Sequence, residues 1–488
     1  MSVIIEEKVA VATSSNSAPA ALRSAVQRIG AFTVAANAEQ LKPDIRALYK
    51  RNILDSLGCA IAAQPGPPFV ALREQFEEYR APGLCTLIGG GKTSIDQAAL
   101  YNSGLVRYVD LLDSYMSPGG LCHPSDNFGA VLAAAELADA TGEEFMLALA
   151  VAYEVICRFT AAVPVMAKGF NHAIQLAMSV AAATGRLLGL SGDQIANAVS
   201  IATVDNISLA CVHGEPVSQW KGFSPGMTGM RAVYAVSMAK HGFTGPNGLF
   251  EGPKGLEQMF GQPIAVDWED PSLGFVTQTV LKKYSSLIHG QPVCEATLNL
   301  RCTYGLTGAE VDHVRCDIFE AGFEFAGGGS YGPKDHVWVK EQADYNLKYL
   351  ISAALLDGQV GPAQLNPARI QSSDAQALVA KVQICPDAEL TARFPKELAA
   401  RVTIFTKDGR VLVKEHLGYE GGLDNPMSWD RTVAKFHWLS ESFADEALRD
   451  SIIEAVQQLD SNPISHLIAL LAQVRRIAVF PKTQPGIQ

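Results

Sequence analysis

The 488-residue chain has no closely spaced cysteine pair. Its nine cysteines, Cys59, Cys85, Cys122, Cys157, Cys211, Cys294, Cys302, Cys316 and Cys385, stand singly, most in apolar runs such as Val155-Ile156-Cys157. Without a C-x-x-C element, a disulfide framework, a zinc site and an iron–sulfur site are all excluded, and reduced core residues are expected. The chain also lacks a run of eighteen consecutive apolar residues, so no membrane span is expected. Positive charge is short: Lys and Arg total 39 against 50 Asp and Glu, a net charge of -11. Nucleic-acid phosphates need a basic surface, so a nucleic-acid partner is excluded. Residues 1–19 contain no arginine and no adequate secretory apolar region. They are expected to form a flexible tail without a targeting signal, and the protein is expected in the cytoplasm.

What is present is apolar bulk, 48% of residues, enough to bury a large core. Over 20–276 alanine and leucine recur at helical spacing, and Thr141 with Glu144 and Ser191 with Gln194 form capping boxes. Helices are predicted at about 127–140, 143–160, 173–189 and 192–210, so rich in alanine that they bury one another. Bundle helices of this kind also favour an extensive subunit interface. Over 277–430 the pattern becomes mixed. Strands are predicted at 314–319, 379–384, 402–406 and 411–414, the last two joined by a Lys-Asp-Gly turn, with helices at 343–356 and 374–378. Helix returns over 431–488. The expected fold is therefore mainly α with a smaller α+β part: a large helical domain built from both chain ends, and an inserted α/β lid domain. A small-molecule pocket is expected between them.

The densest acid-base stretch is Arg107 to Asn127, RYVDLLDSYMSPGGLCHPSDN. An apolar run reads as the end of a buried helix, which Pro118-Gly119-Gly120 must terminate. Asp110, Asp113 and Ser114 at that end and His123 past the loop can then face one cavity, where a buried histidine beside carboxylates is a natural acid or base. The alternative is structural: Asp113 and Ser114 satisfy helix-end groups and His123 sits in a hydrogen-bonded loop.

Two motifs fail on their own chemistry. Gly222-Phe223-Ser224-Pro225-Gly226 fits G-x-S-x-G, but the residue after a nucleophilic serine must donate its N–H, and Pro225 has none. Gly90-Gly91-Lys92-Thr93 resembles the end of a phosphate loop, but Thr86 stands where the motif needs glycine, so a surface turn is expected. Several cations and donors remain. His172 opens an alanine-rich helix, a ready anion site. Lys221 precedes a helix start at Gly226, Lys282 leads into His289 at the domain junction, and Tyr349 lies in an apolar helix. Each also has a structural reading, as a cap, a solvated ammonium or a core phenol. Together they describe a pocket for a polycarboxylate.

N-I-L-D-S-L-G-C-A at Asn52, D-L-L-D-S at Asp110, H-P-S-D-N at His123, A-A-A-T-G-R-L-L-G-L-S at Ala181, W-K-G-F-S-P-G at Trp220, L-K-K-Y at Leu281 and Y-N-L-K-Y-L-I-S-A-A-L-L-D-G ending at Gly358 occur in an order that resembles the MmgE/PrpD family. Members of that family include 2-methylcitrate dehydratase, cis-aconitate decarboxylase and iminodisuccinate epimerase. The resemblance implies a helical domain with a smaller lid, a homodimer, and a cleft site without metal or organic cofactor. Carried over by position, the site falls on Asp110, Ser114, His123, His172, Lys221, Lys282 and Tyr349. The sequence departs from the family at Ser114, where many members have threonine, at Leu112, where many have Asn or Asp, and at Ser285 to Ile288, which lacks the usual Pro and Cys before His289. The implied activity is a hydro-lyase acting on 2-methylcitrate or a similar tricarboxylate. His123, oriented by Asp110, would be the base, and Tyr349 or Ser114 the acid. His172, Lys221, Lys282 and His289 would bind substrate. Decarboxylation of cis-aconitate, epimerisation of an amino- or imino-dicarboxylate, and carboxylate binding without catalysis are the alternatives.

Overall fold

The computed structural model describes residues 23–79, 83–118 and 120–476. The tail expected at 1–19 lies outside them.

The first half of the chain is helical for the reasons its sequence suggests. Gly142–Ala162 starts from the Thr141–Glu144 capping box, in which Glu144 Oε2 accepts from Thr141 N at 2.8 Å and Thr141 Oγ1 accepts from Glu144 N at 3.2 Å. By length and composition this helix could cross a membrane, but 89% of its most apolar window is buried in the protein, packed on Ala173–Leu187 and the Phe128–Leu137 helix. Glycine permits the closest crossings. A Cβ on Gly129 would lie 2.1 Å from Ser103 N, and one on Gly226 2.7 Å from Leu100 O. These glycines let Phe128–Leu137 and Trp220–Lys240 close directly on Ile95–Tyr108, the helix that leads into the acid-base stretch.

One apolar cluster runs from Ala25 to Val276 and resumes from Phe436 to Val474, so residues from both ends of the chain share a core. A second runs from Val280 to Tyr419. The second core is built on a four-stranded sheet in the order Val382–Pro386, Val311–Ile318, Ala400–Thr406, Val411–His416, whose first pair is parallel and the rest antiparallel. Val402 and Ile404 alternate inward, as the β-branched pattern predicts, and the Lys-Asp-Gly turn holds Gly409 at φ 86°. Gln291–Tyr304 packs on the sheet and on Leu347–Asp357.

Three predicted boundaries move. The helix expected to run to Pro118 stops at Tyr108, because Asp110 adopts φ 50°, a left-handed conformation no helix continues through. Ser114–Ser117 is instead a strand, paired antiparallel with Gly120–Cys122 on one side and Thr279–Val280 on the other. The helix expected over 192–210 ends at Val204. Beyond it Ser208 O accepts from Asn171 N at 2.8 Å and Ala210 N donates to Gly169 O at 3.0 Å, so local propensity yields to loop pairing. The helix predicted to begin at Gly226 begins at Trp220 and carries Pro225 inside it.

Lys435, on Trp429–Ser440, fastens the two cores. Its buried ammonium donates to Asp55 Oδ1 at 2.5 Å, Lys282 O at 2.7 Å and Leu111 O at 3.0 Å. Replacing Lys435 with Met leaves the Asp55 carboxylate and two carbonyls without a donor. Chemical denaturation of the Lys435→Met protein is expected to show a loss of about 3–5 kcal/mol. An unchanged midpoint would mean that the ammonium is dispensable.

Candidate functional site

Strand pairing assembles the site. Opposite Ser114 stands Val280, so the chain that follows brings Lys282 onto the end of the Ile95–Tyr108 helix. There Lys282 Nζ and Arg107 Nη1 each lie 2.7 Å from Asp110 Oδ1, all three side chains buried. Burial opposes a charge on Asp110, but Lys282 and Arg107 outweigh it and hold the carboxyl well below its ordinary range. Burial, with Arg107 adding to it, lowers the Lys282 ammonium. Asp110 Oδ2 has no hydrogen-bond partner among the described residues.

His123 is oriented by main chain. Its Nδ1 is 2.7 Å from Asp113 O and 3.1 Å from Ser114 Oγ. A carbonyl only accepts, so Nδ1 carries the proton and Nε2 is left with a free lone pair. The Asp113 carboxylate locks this loop, accepting from Ser125 N at 3.0 Å, Ser125 Oγ at 2.7 Å and Tyr153 Oη at 2.7 Å. Burial nevertheless raises its carboxyl to about 6. Burial also pushes His123 well below its ordinary value, helped by Arg107, Lys282 and His172, so the imidazole is neutral. His172, at the N-terminus of Ala173–Leu187, meets His123 edge to face at 4.9 Å and places Nε2 3.3 Å from Asp126 Oδ2. Burial keeps His172 low although Asp126 opposes this.

These groups open onto a cavity between the two cores, enclosing about 830 Å³ of atom-free space, part of it open to solvent. His123, His172, Lys282 and His289 line it. Burial lowers His289 to about 4, and its ring faces Phe319, Phe325 and Phe394. Asp110, Ser114 and Lys221 stand behind the wall. Lys221 Nζ donates to Asp344 Oδ1, sits 3.6 Å from the Tyr345 ring centre, and is brought by burial to about 8. Lys340 holds the other oxygen of Asp344 at 3.0 Å.

Two expected assignments change. Tyr349 does not reach the cavity: one turn into the Leu347–Asp357 helix, it packs with Val337, Ala353 and Leu365 and donates to Gln364 O. The phenol on the cavity wall is Tyr345, just ahead of the Asn346 cap. Asp110 does not orient His123, since its bonded oxygen is taken by Arg107 and Lys282, and the Asp113 carbonyl does that instead.

The sequence reading also missed Arg107, Tyr345 and His213. Arg107 was legible only as the first residue of the acid-base stretch, and Tyr345 opens the same Y-N-L-K-Y string as Tyr349. His213 reaches the cavity because the segment after Val204 leaves the helix. Its Nε2 accepts from Asn171 Nδ2 at 2.8 Å and its ring stacks on Tyr345 at 5.4 Å. Ser224, of the rejected G-x-S-x-G string, is buried in a helix within 3.1 Å of Ser208 Oγ. Among the described residues no group of three or more His, Cys, Asp or Glu is placed to hold a metal ion.

The MmgE/PrpD N-terminal domain matches residues 27–269 and the MmgE/PrpD C-terminal domain matches 284–461. The 2-methylcitrate dehydratase of Escherichia coli (strain K12) is 25% identical over 394 residues, covering 75% of this chain and 80% of the relative. The cis-aconitate decarboxylase of Aspergillus terreus is 26% identical over 479 residues, covering 89% and 93%. The cis-aconitate decarboxylase-like protein oryM of Aspergillus oryzae is 24% identical over 469 residues, covering 89% and 95%. With both domain families matched in order over most of its length, and with a cleft between two cores, the chain belongs to the MmgE/PrpD family of lyase-like enzymes.

Proposed function

We propose that this protein is a cofactor-independent hydro-lyase that eliminates water from 2-methylcitrate or a related tricarboxylate. The observation that carries the reading is the His123 tautomer. With Nδ1–H committed to the Asp113 carbonyl, Nε2 is a neutral base on the wall of a cleft that also holds the Lys282 ammonium. The carbon-bound proton passes to Nε2, the C–H electron pair becomes the double bond, and the C–O bond breaks. Negative charge that develops on the adjacent carboxylate is met by Lys282, a fixed cation in a desolvated site. Tyr345 stays protonated because burial and Asp110 raise its pKa, and it donates a hydrogen bond to the departing oxygen. The imidazolium returns its proton to that oxygen readily, since burial and the neighbouring cations disfavour its charge.

Decarboxylation of cis-aconitate is the second reading. It is favoured by the longer span over which the Aspergillus terreus decarboxylase aligns, 89% of this chain against 75% for the dehydratase. Both reactions place charge next to a carboxylate, so both use Lys282. An NMR time course of chelator-treated protein with 2-methylcitrate and, separately, cis-aconitate distinguishes them. Loss of water in the first tube supports the hydro-lyase, and itaconate with carbon dioxide in the second moves the chain to the decarboxylases. Silence in both tubes counts against either activity.

His123→Ala is expected to lower kcat by about 10²–10⁴-fold with an unchanged melting curve, the range for removing a general base. Turnover near wild type would sink the assignment. The pH profile supplies a second check. A protonated His123 cannot act as base, and its pKa is depressed, so kcat/KM should stay level as pH falls through 6.5. On the alkaline side activity should decline near pH 8, where Lys221 loses its proton and with it the pairing to Asp344 and Tyr345. Lys221→Arg, which stays charged, should move that limb upward. An acid limb centred on 6.5 would show an unperturbed histidine and contradict the geometry.

A further inference from the structure

The cavity is chemically divided. At one end stand Lys282, His123, His172 and Tyr345. From there His213, stacked on Tyr345, leads to Phe325 at 6.0 Å, then to His289 at 5.6 Å from Phe325, then to Phe394 at 5.9 Å. Met116, Leu121, Met166 and Ile288 also line the cavity, and Met116 and Leu121 pack with Phe325 and Phe394 against the second core. Met116 and Leu121 are direct cross-strand partners, so their side chains leave the hairpin on one face. Lys282 is the one formally charged side chain among the described residues that line the cavity. A small polyacid would turn carboxylates toward methionine, leucine and phenylalanine, and an unpaired ionised carboxylate in such surroundings is heavily penalised. The apolar lining is also more than a methyl group can cover: Phe325, Phe394, Met116, Leu121, Met166 and Ile288 all face the cavity.

Resting on the lyase reading above for the polar end, we infer that the substrate is an amphiphilic carboxylic acid, with its carboxylates at Lys282 and an apolar substituent longer than methyl lying against Phe325, Phe394, Met116 and Leu121. Binding is then carried by two separate contributions. The cation and the histidines fix the reacting carbons, and the apolar wall gains with each methylene of the substituent.

Calorimetric titration with succinate and with 2-methyl-, 2-butyl- and 2-octylsuccinate tests this without requiring turnover, since none of these acids has a hydroxyl to eliminate. Affinity is expected to rise by about fourfold per methylene from methyl to butyl, at one site per chain, with an increasingly negative heat-capacity change. Leu121→Glu, which puts a carboxylate into the apolar wall, should flatten the series. A series that is flat or falling in the wild-type protein overturns the inference. So does a rise that survives in Leu121→Glu, because the chain would then be binding elsewhere. In parallel, kcat/KM is measured for 2-methylcitrate and its 2-butyl homologue. A steep binding series with neither compound turned over upholds the apolar subsite and removes the lyase reading; a flat binding series with 2-methylcitrate turned over does the reverse.

Discussion

A lysine ammonium taken out of water must find acceptors, and Lys435 finds them on three segments far apart in the chain: the Asp55 carboxylate, the Leu111 carbonyl and the Lys282 carbonyl. Two of those partners adjoin the site. Leu111 immediately follows Asp110, and Lys282 is Asp110's counter-ion. One buried cation from the last third of the chain thus fixes the main chain on both sides of the Asp110–Lys282 ion pair, whose lysine lines the cleft. A buried pair gains little net stability over an apolar contact of the same size, because desolvation offsets most of the Coulomb attraction. Its value here is positional: the second core cannot slide along the first without stranding Lys435.

Asp110 performs a similar service at shorter range. Its left-handed backbone turns the chain out of the Ile95–Tyr108 helix, and its carboxylate draws Arg107 and Lys282 to one oxygen. Burial keeps the nearby imidazoles low, and the cations add to it: His123, His172 and His213 are all lowered, with Arg107 a contributor to each and Lys282 to His123. A site that must accept a proton gains from this, because a histidine already charged at neutral pH could not do so. Burial and cation density therefore set the chemistry together, and neither could be read from spacing alone.

What the sequence conveyed well was anything decided by local pattern. The capping boxes at Thr141 and Ser191 and the Lys-Asp-Gly hairpin are local, and they stand where the pattern puts them. Arg107–Asn127 was visible as a cluster of acid-base groups. Its form was not, because Ser114–Ser117 becomes a strand only by pairing with Thr279–Val280, more than 160 residues away. His213 escaped notice for the same kind of reason: its segment reads as the tail of a helix and is pulled out of it by Gly169 and Asn171. Tyr345 and Tyr349 differ by four residues in one string, and only the cap at Asn346 decides that the earlier ring faces the cleft while the later one enters the core.

The division of the cavity into a charged end and an apolar end bears on the strength of the charge itself. A Coulomb interaction that is worth about 1 kcal/mol at contact distance in water grows severalfold when the surroundings are apolar. The wall of Phe325, Phe394, Met116 and Leu121 is therefore more than a shape for a substituent. Once covered by an apolar chain it excludes water from Lys282, so the same contact that selects the substrate also strengthens the field that stabilises charge developing beside its carboxylate. A short, fully hydrated acid would bring water into the cleft and weaken that field. Selectivity and rate are in this way coupled through desolvation, and a polar substitution in the apolar wall acts on both, although none of those residues touches the reacting carbons.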